Sequence, residues 1–216
     1  MTVFRITYSN EKPTVYNSKI GGKPYWPEDK DYPEDNDGVN MVFLAQINFA
    51  ELPENNIFPE EGMLQFFIAK DDTLGLFSDN GYKVVYHPEI LESVDVELDD
   101  DILDYTPVYN EAKMVFRMGD DLMSYNDYRF DKSIPESEYG IYDTGWGTKL
   151  LGYPAFTQWD PREQEGNQKY DTLLFQLDSD DGYVMWGDVG IGNFFISFEN
   201  LVRRDFSDVL YNWDCY

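Results

Sequence analysis

The chain has 216 residues, with 42 Asp and Glu against 16 Lys and Arg, a formal net charge of −26. That balance excludes ordinary binding to a nucleic-acid backbone, which needs cations to displace counterions, and it disfavours docking on anionic membranes. Apolar residues make up 42% and aromatics 17%, enough to fill a substantial core and to argue against disorder.

The N-terminal residues Met1–Asn10 carry no apolar stretch and no small-residue cleavage pattern. No run approaches the roughly 18–20 apolar residues that span a bilayer. A cytoplasmic protein is therefore expected. Glu28–Asp37 reads as an acidic loop. Met41–Ile47 follows as a short apolar run of the buried-strand type, then Asn48–Leu52 before Pro53 as a single helical turn. Met63–Ile68 is aromatic-rich and strand-like, and Asp79-Asn80-Gly81 supplies a hairpin turn signal before the strand Tyr82–His87. Ser93–Leu98 alternates, with Val94, Val96 and Leu98 on one face and Asp95 and Glu97 on the other, which predicts a half-buried strand. Asp99–Tyr105 and Glu111–Asp121 fit helix and strand equally well, and residues 120–147 form a connection. Thr172–Leu177 is a further buried strand, with Asp181-Gly182 turning into Tyr183–Trp186. Asn193–Ser197 is strand-like, and Ser197–Arg204 opens on a capping hydroxyl and ends on two cations, as a short helix does.

Two segments match in spacing. Lys19, Gly22, Pro24, Leu44 and Gln46 recur as Lys149, Gly152, Pro154, Leu174 and Gln176, each displaced by 130. Gly62–Ile68 then matches Gly190–Ile196 and Tyr82–His87 matches Leu210–Cys215, both displaced by 128. The pattern predicts one domain over 1–216 built from two related units, about 19–88 and 149–216, joined by 89–148. The expected fold class is α+β, predominantly antiparallel β with a few short helices and an internal duplication.

Chemistry-bearing motifs are sparse. The one histidine, His87, lies at a strand end, and the repeat sets Cys215 opposite it, so both read as packing positions. A single cysteine forms no internal disulfide and no multi-cysteine metal site. Asp178-Ser179-Asp180-Asp181-Gly182 looks like a calcium loop, but counting from Asp178 puts Gly182 at position 5 and Val189 at position 12, so the register fails. No phosphate loop, dinucleotide fingerprint or nucleophile elbow is present. No catalytic residue, metal or cofactor is expected. Gln46 and Gln176, in apolar strands, are expected to tie those strands to neighbouring backbone.

Two surfaces remain as candidates. Glu92, Asp95, Glu97, Asp99, Asp100, Asp101 and Asp104 form the densest acidic run, a solvated face or a surface for a basic partner. The aromatics Trp26, Tyr153 and Trp159, near the two glycine–proline motifs, are candidates to line a small-ligand or enzymatic pocket between the repeated halves.

Gly21-Gly22-Lys23-Pro24-Tyr25-Trp26-Pro27, Phe43–Asn48, Leu52-Pro53 and Gly62–Ile68, with the later Leu151-Gly152-Tyr153-Pro154, Gln158, Gly187-Asp188 and Trp213–Tyr216, resemble the YwqG-like family of bacterial proteins. The resemblance implies a cytoplasmic bacterial protein of duplicated β-rich α+β fold, and it brings no catalytic residues. Some members are thought to be immunity proteins, which implies as partner a basic, toxin-like protein and no enzymatic activity. The charge is spread over both halves: residues 1–108 carry 22 acids and 7 bases (−15), residues 109–216 carry 20 and 9 (−11).

Overall fold

The computed structural model describes residues 1–97, 102–141 and 145–216. Its strands are β1 Thr2–Ser9, β2 Lys19–Ile20, β3 Val42–Asn48, β4 Met63–Ile68, β5 Tyr82–His87, β6 Ala112–Asp120, β7 Lys149–Leu151, β8 Thr172–Asp178, β9 Ile191–Ile196 and β10 Val209–Asp214. Helix α1 covers Phe130–Ser133 and α2 Phe198–Arg203, with short 3-10 turns such as Phe49–Glu51 between strands. The pairings described between strands are antiparallel, so the expected β-rich class with few short helices is what forms.

The chain divides into two compact units. The first comprises Tyr8–Val115 with Asp181–Val184, the second Met1–Thr7, Phe116–Asp180 and Met185–Tyr216. In the first, β2 pairs with β6 and β3, β3 with β4, and β4 with β5. In the second, β1 pairs with β7, β7 with β8, β8 with β9, and β9 with β10. Strands β4 and β9 are buried along their whole length, which explains why they show no alternation and carry only one polar side chain each, Gln65 and Asn193.

The same local devices recur in each unit. The β3–β4 register slips between Phe43 and Ala45, and the β8–β9 register between Leu173 and Phe175. In each case a buried glutamine follows. Gln46 Oε1 accepts from the Tyr25 N–H (2.9 Å), and its Nε2 donates to the Val15 (2.7 Å) and Asn17 (2.8 Å) carbonyls. Gln176 Oε1 accepts from the Ala155 N–H (2.8 Å), and its Nε2 donates to the Gly145 (2.9 Å) and Gly147 (2.7 Å) carbonyls. The expected tie between strand and backbone is present at both. Each unit also buries a lysine. Lys19 Nζ donates to Glu111 (2.6 Å) and to the Lys23 carbonyl, and Lys149 Nζ to Asp121 (3.0 Å) and the Gly145 carbonyl (2.6 Å). Gly22 (φ +67°) and Gly152 (φ +77°) stand beside these carboxylates. A Cβ at either would collide with Glu111 or Asp121, so both backbone angle and space demand glycine.

Several expectations are corrected. Ser93–Leu98 is not a strand: Ser93 makes one isolated bridge with Pro27, and Leu98 lies outside the described residues. A proline partner has no N–H to extend a ladder. Asn80-Gly81 does not close a two-residue hairpin. β4 and β5 are joined by residues 69–81, and of the pair only Asn80 has positive φ (56°). Tyr183–Trp186 forms no strand; Val184 bridges Val108, and the partner of β8 is β9. β1 was not anticipated, and Glu111–Asp121 resolves into β6. The capped helix is confirmed: Ser197 Oγ accepts from the Asn200 N–H (3.1 Å), and Arg204 ends α2 in left-handed conformation. Among the described residues no helix is long and apolar enough to cross a membrane.

Gln176→Leu should destabilise the protein by about 3 kcal/mol in urea unfolding, because one N–H and two carbonyls lose their partner. A loss below about 1 kcal/mol would show that these groups find other partners.

Candidate functional site

Position 65 lies on β4 between Leu64 and Phe66, and its amide is fully buried. Gln65 Nε2 donates to the Tyr25 carbonyl (2.7 Å) and to Gln46 Oε1 (3.2 Å). That fixes which end of the amide faces β5, and Gln65 Oε1 meets His87 Nε2 at 2.9 Å. The imidazole therefore carries its proton on Nε2 and leaves Nδ1 as an acceptor. Lys30 Nζ fills that acceptor at 3.2 Å. A polar chain thus runs from the surface ammonium of Lys30 through His87, Gln65 and Gln46 to the backbone of Val15 and Asn17.

His87 is 1% exposed, edge-on to Tyr25 and Trp26 with centroids 5.3 and 5.2 Å away. Burial, and then the Lys30 charge, push its pKa down to about 4, against a smaller opposing pull from Asp29. The imidazole is neutral at neutral pH. Beside it lies a cavity of about 160 Å³ lined by Pro27, Asp29, Lys30, His87, Pro88, Glu89 and Leu91.

The acidic run continues from this cavity as a strap. Its Ser93 Oγ accepts from the Trp26 N–H (3.0 Å), the Val94 N–H donates to the Trp26 carbonyl (2.9 Å), and the Leu91 N–H donates to the Tyr25 hydroxyl (2.9 Å). Val96 packs on the cluster of Trp26, Met41, Phe43 and Phe67. Glu92, Asp95, Glu97 and Asp104 are exposed, and Asp95 accepts from Lys23 at 2.6 Å. Asp99, Asp100 and Asp101 lie outside the described residues.

The aromatic candidates have separate roles. Trp26 is buried in the first unit and donates from Nε1 to the Lys30 carbonyl (2.8 Å). Tyr153, in the second unit, is half-buried; its N–H donates to Asp121 (3.0 Å) and its ring lies 5.9 Å from the Arg129 guanidinium. Trp159, also in the second unit, is 51% exposed. Residue matching by the 128 offset is also shifted at β10. β5 ends at His87 and β10 at Asp214, so Asp214, not Cys215, stands at the place of His87. Its carboxylate accepts from the Thr157 N–H (3.0 Å) and hydroxyl (2.9 Å) and the Gln158 N–H (3.0 Å).

The second unit holds its own buried charges. Arg162, fully buried, donates to Asp160 and Asp127 (2.7 and 2.9 Å from Nη2) and lies 4.6 Å from the Phe195 ring. Burial pushes the Asp121 carboxyl up, but Lys149, the Tyr153 N–H and Arg5 outweigh it and hold it below the usual range. Asp121 with Lys149 and Arg5, and Arg162 with Asp127 and Asp160, form two ion clusters around buried carboxylates, and Arg162 Nη1 is buried without a hydrogen-bond partner. Among the described residues no three His, Cys, Asp or Glu are placed to hold a metal ion.

Lys30, Gln65, Asp29 and Glu89 were missed by sequence reasoning. A glutamine inside the apolar run Met63–Ile68 was the available signal for Gln65, since a buried amide must have partners. Nothing local marks Lys30 as the partner of His87.

A family model for a domain of unknown function (DUF1963) matches residues 18–215. The chain is thus a β-rich protein of that class, and it belongs to the DUF1963 family. No curated protein matches it.

Acid should unfold the protein in part through His87. Below pH 6.5 the unfolded chain takes a proton that the folded imidazole refuses until about pH 4, so stability falls over that interval by about 3 kcal/mol. In urea midpoints followed from neutral pH to pH 4, His87→Gln should lose correspondingly less stability than the parent. Equal acid sensitivity of the two proteins would remove His87 as its source.

Proposed function

We propose that this protein is a non-enzymatic binding protein of the cytoplasm that captures a basic protein through its acidic surface, in the manner of an immunity protein neutralising a cationic toxin. In this reading it is a YwqG-like single domain, built from two related units by duplication. The paired register slips, buried glutamines and buried lysines described above support that descent.

The observation that carries the binding role is the strap of residues 91–97. Its backbone and Val96 are fastened to the Trp26 cluster, so the segment that carries the exposed Glu92, Asp95 and Glu97 is held in place, with Asp95 paired to Lys23. A backbone already anchored loses little entropy when a cationic surface arrives, and the field of a −26 chain speeds the encounter. Burial changes that field little, hiding four acids and three bases among the described residues. Lys19, Lys149 and Arg162 are buried, against Asp121, Asp127, Asp160 and Asp214 among the described acids. The pairing of each of the buried carboxylates Asp121, Asp127 and Asp160 with a cation supports the non-enzymatic reading.

Co-expression with a cationic toxin encoded beside its gene should restore growth, and the purified pair should dissociate at high salt. The combined change Glu92→Gln, Asp95→Asn and Glu97→Gln, all exposed positions, should leave folding unchanged and weaken capture at low salt at least tenfold, roughly 1.4 kcal/mol. Capture that is insensitive both to salt and to the triple change would refute the reading.

A further inference from the structure

The place that Lys30 occupies is built for an ammonium group rather than for Lys30 in particular. His87 Nδ1 offers one directed lone pair, and it is pinned in that role because Gln65 cannot turn its amide over without abandoning the Tyr25 carbonyl and Gln46. One acceptor suits the point charge of an ammonium, whereas a guanidinium fork is matched by a bidentate carboxylate. The lining of the cavity beside it combines the apolar residues Pro27, Pro88 and Leu91 with the acidic residues Asp29 and Glu89. A lysine side chain has that same division, an apolar stem and a charged tip. Lys30 is itself part of that lining, so the volume of about 160 Å³ is open space beside its side chain, into which a second alkyl chain can enter.

We infer that this cavity is a receptor for a primary alkylammonium group, namely one lysine of the basic partner, and that Lys30 is the chain's own occupant, displaced when that lysine enters. The identity of the occupant rests on the binding role proposed above; the chemistry of the cavity does not. Lys30 is exposed and sits in an acidic loop, so its ammonium can swing into solvent without uncovering the core. Trp26 holds the loop by the Lys30 backbone carbonyl, leaving the side chain free to exchange. The second unit has no such receptor on its matching strand, because the Asp214 carboxylate at the place of His87 is consumed by Thr157 and Gln158. The neutral state of His87, with its pKa near 4, keeps the lone pair available at neutral pH.

His87 is the chain's one histidine, so imidazole nitrogen resonances in NMR report this site alone. The full-length protein is titrated at neutral pH and constant ionic strength with n-butylammonium, tetramethylammonium and butyrate. The expected result is a saturable shift of the Nδ1 signal with n-butylammonium and none with the other two. Lys30→Ala should tighten n-butylammonium binding severalfold, since the internal competitor is gone. The exposed position of Lys30 makes that variant safe for folding, and circular dichroism checks it. Absence of a shift in both the parent and Lys30→Ala overturns the proposal, and so does an equal response to tetramethylammonium or to butyrate. Because no protein partner takes part, a negative result here leaves the acidic-surface reading standing. Conversely, failed partner capture with a positive titration removes the partner and keeps the receptor.

Discussion

Burying a glutamine inside an apolar strand imposes the constraint on which each unit depends. An amide in the core has to find its hydrogen-bond partners, because each group left unmade costs about 1–3 kcal/mol while each bond made gains only about 1. Gln46 and Gln176 meet that demand with backbone of loops distant in sequence, and so decide where those loops run. In the first unit the loop fixed through the Tyr25 N–H goes on to Trp26 and Lys30. The strap of residues 91–97 then fastens to Trp26, which positions both the cavity and the outward carboxylates.

Charge is handled by a related rule. A chain this acidic repels itself when compact, and taking a cation into the core carries a desolvation cost of its own. Lys19, Lys149 and Arg162 are nevertheless buried, each against a carboxylate. Such pairs stabilise only when remaining donors are satisfied, which Arg162 Nη1 is not, and when geometry is good. The glycines at 22 and 152 provide that geometry by letting Glu111 and Asp121 approach the backbone.

The two units place different groups on matching frames. The Tyr32 ring lies 5.6 Å from Phe67 in the first, while the Arg162 guanidinium lies 4.6 Å from Phe195 in the second. His87 and Asp214 end their strands alike, yet Asp214 is saturated by its own neighbours and His87 turns its acceptor toward a surface lysine.

The buried strands were legible in the sequence because a strand covered on both faces is apolar apart from side chains that find partners inside, as Met41–Ile47, Met63–Ile68 and Thr172–Leu177 are with their one glutamine each. The Ser197 cap was legible because its bond spans only three residues. Local pattern misled where the partner decided the outcome. The alternation of Ser93–Leu98 is that of a strand, but facing Pro27 it becomes a strap with a single bridge. Asn80-Gly81 has hairpin chemistry, but the strands it would join are separated by a longer connection. The sequence by itself determined the β-rich class, the acidic character and the glutamine anchors, since these follow from composition and from the cost of an unpaired buried amide. Only the tertiary structure decided that Lys30, fifty-seven residues from His87, is its partner, and that Asp214 takes the histidine's place in the second unit. Those outcomes depend on register and loop path, which long-range pairing sets and no local residue pattern encodes.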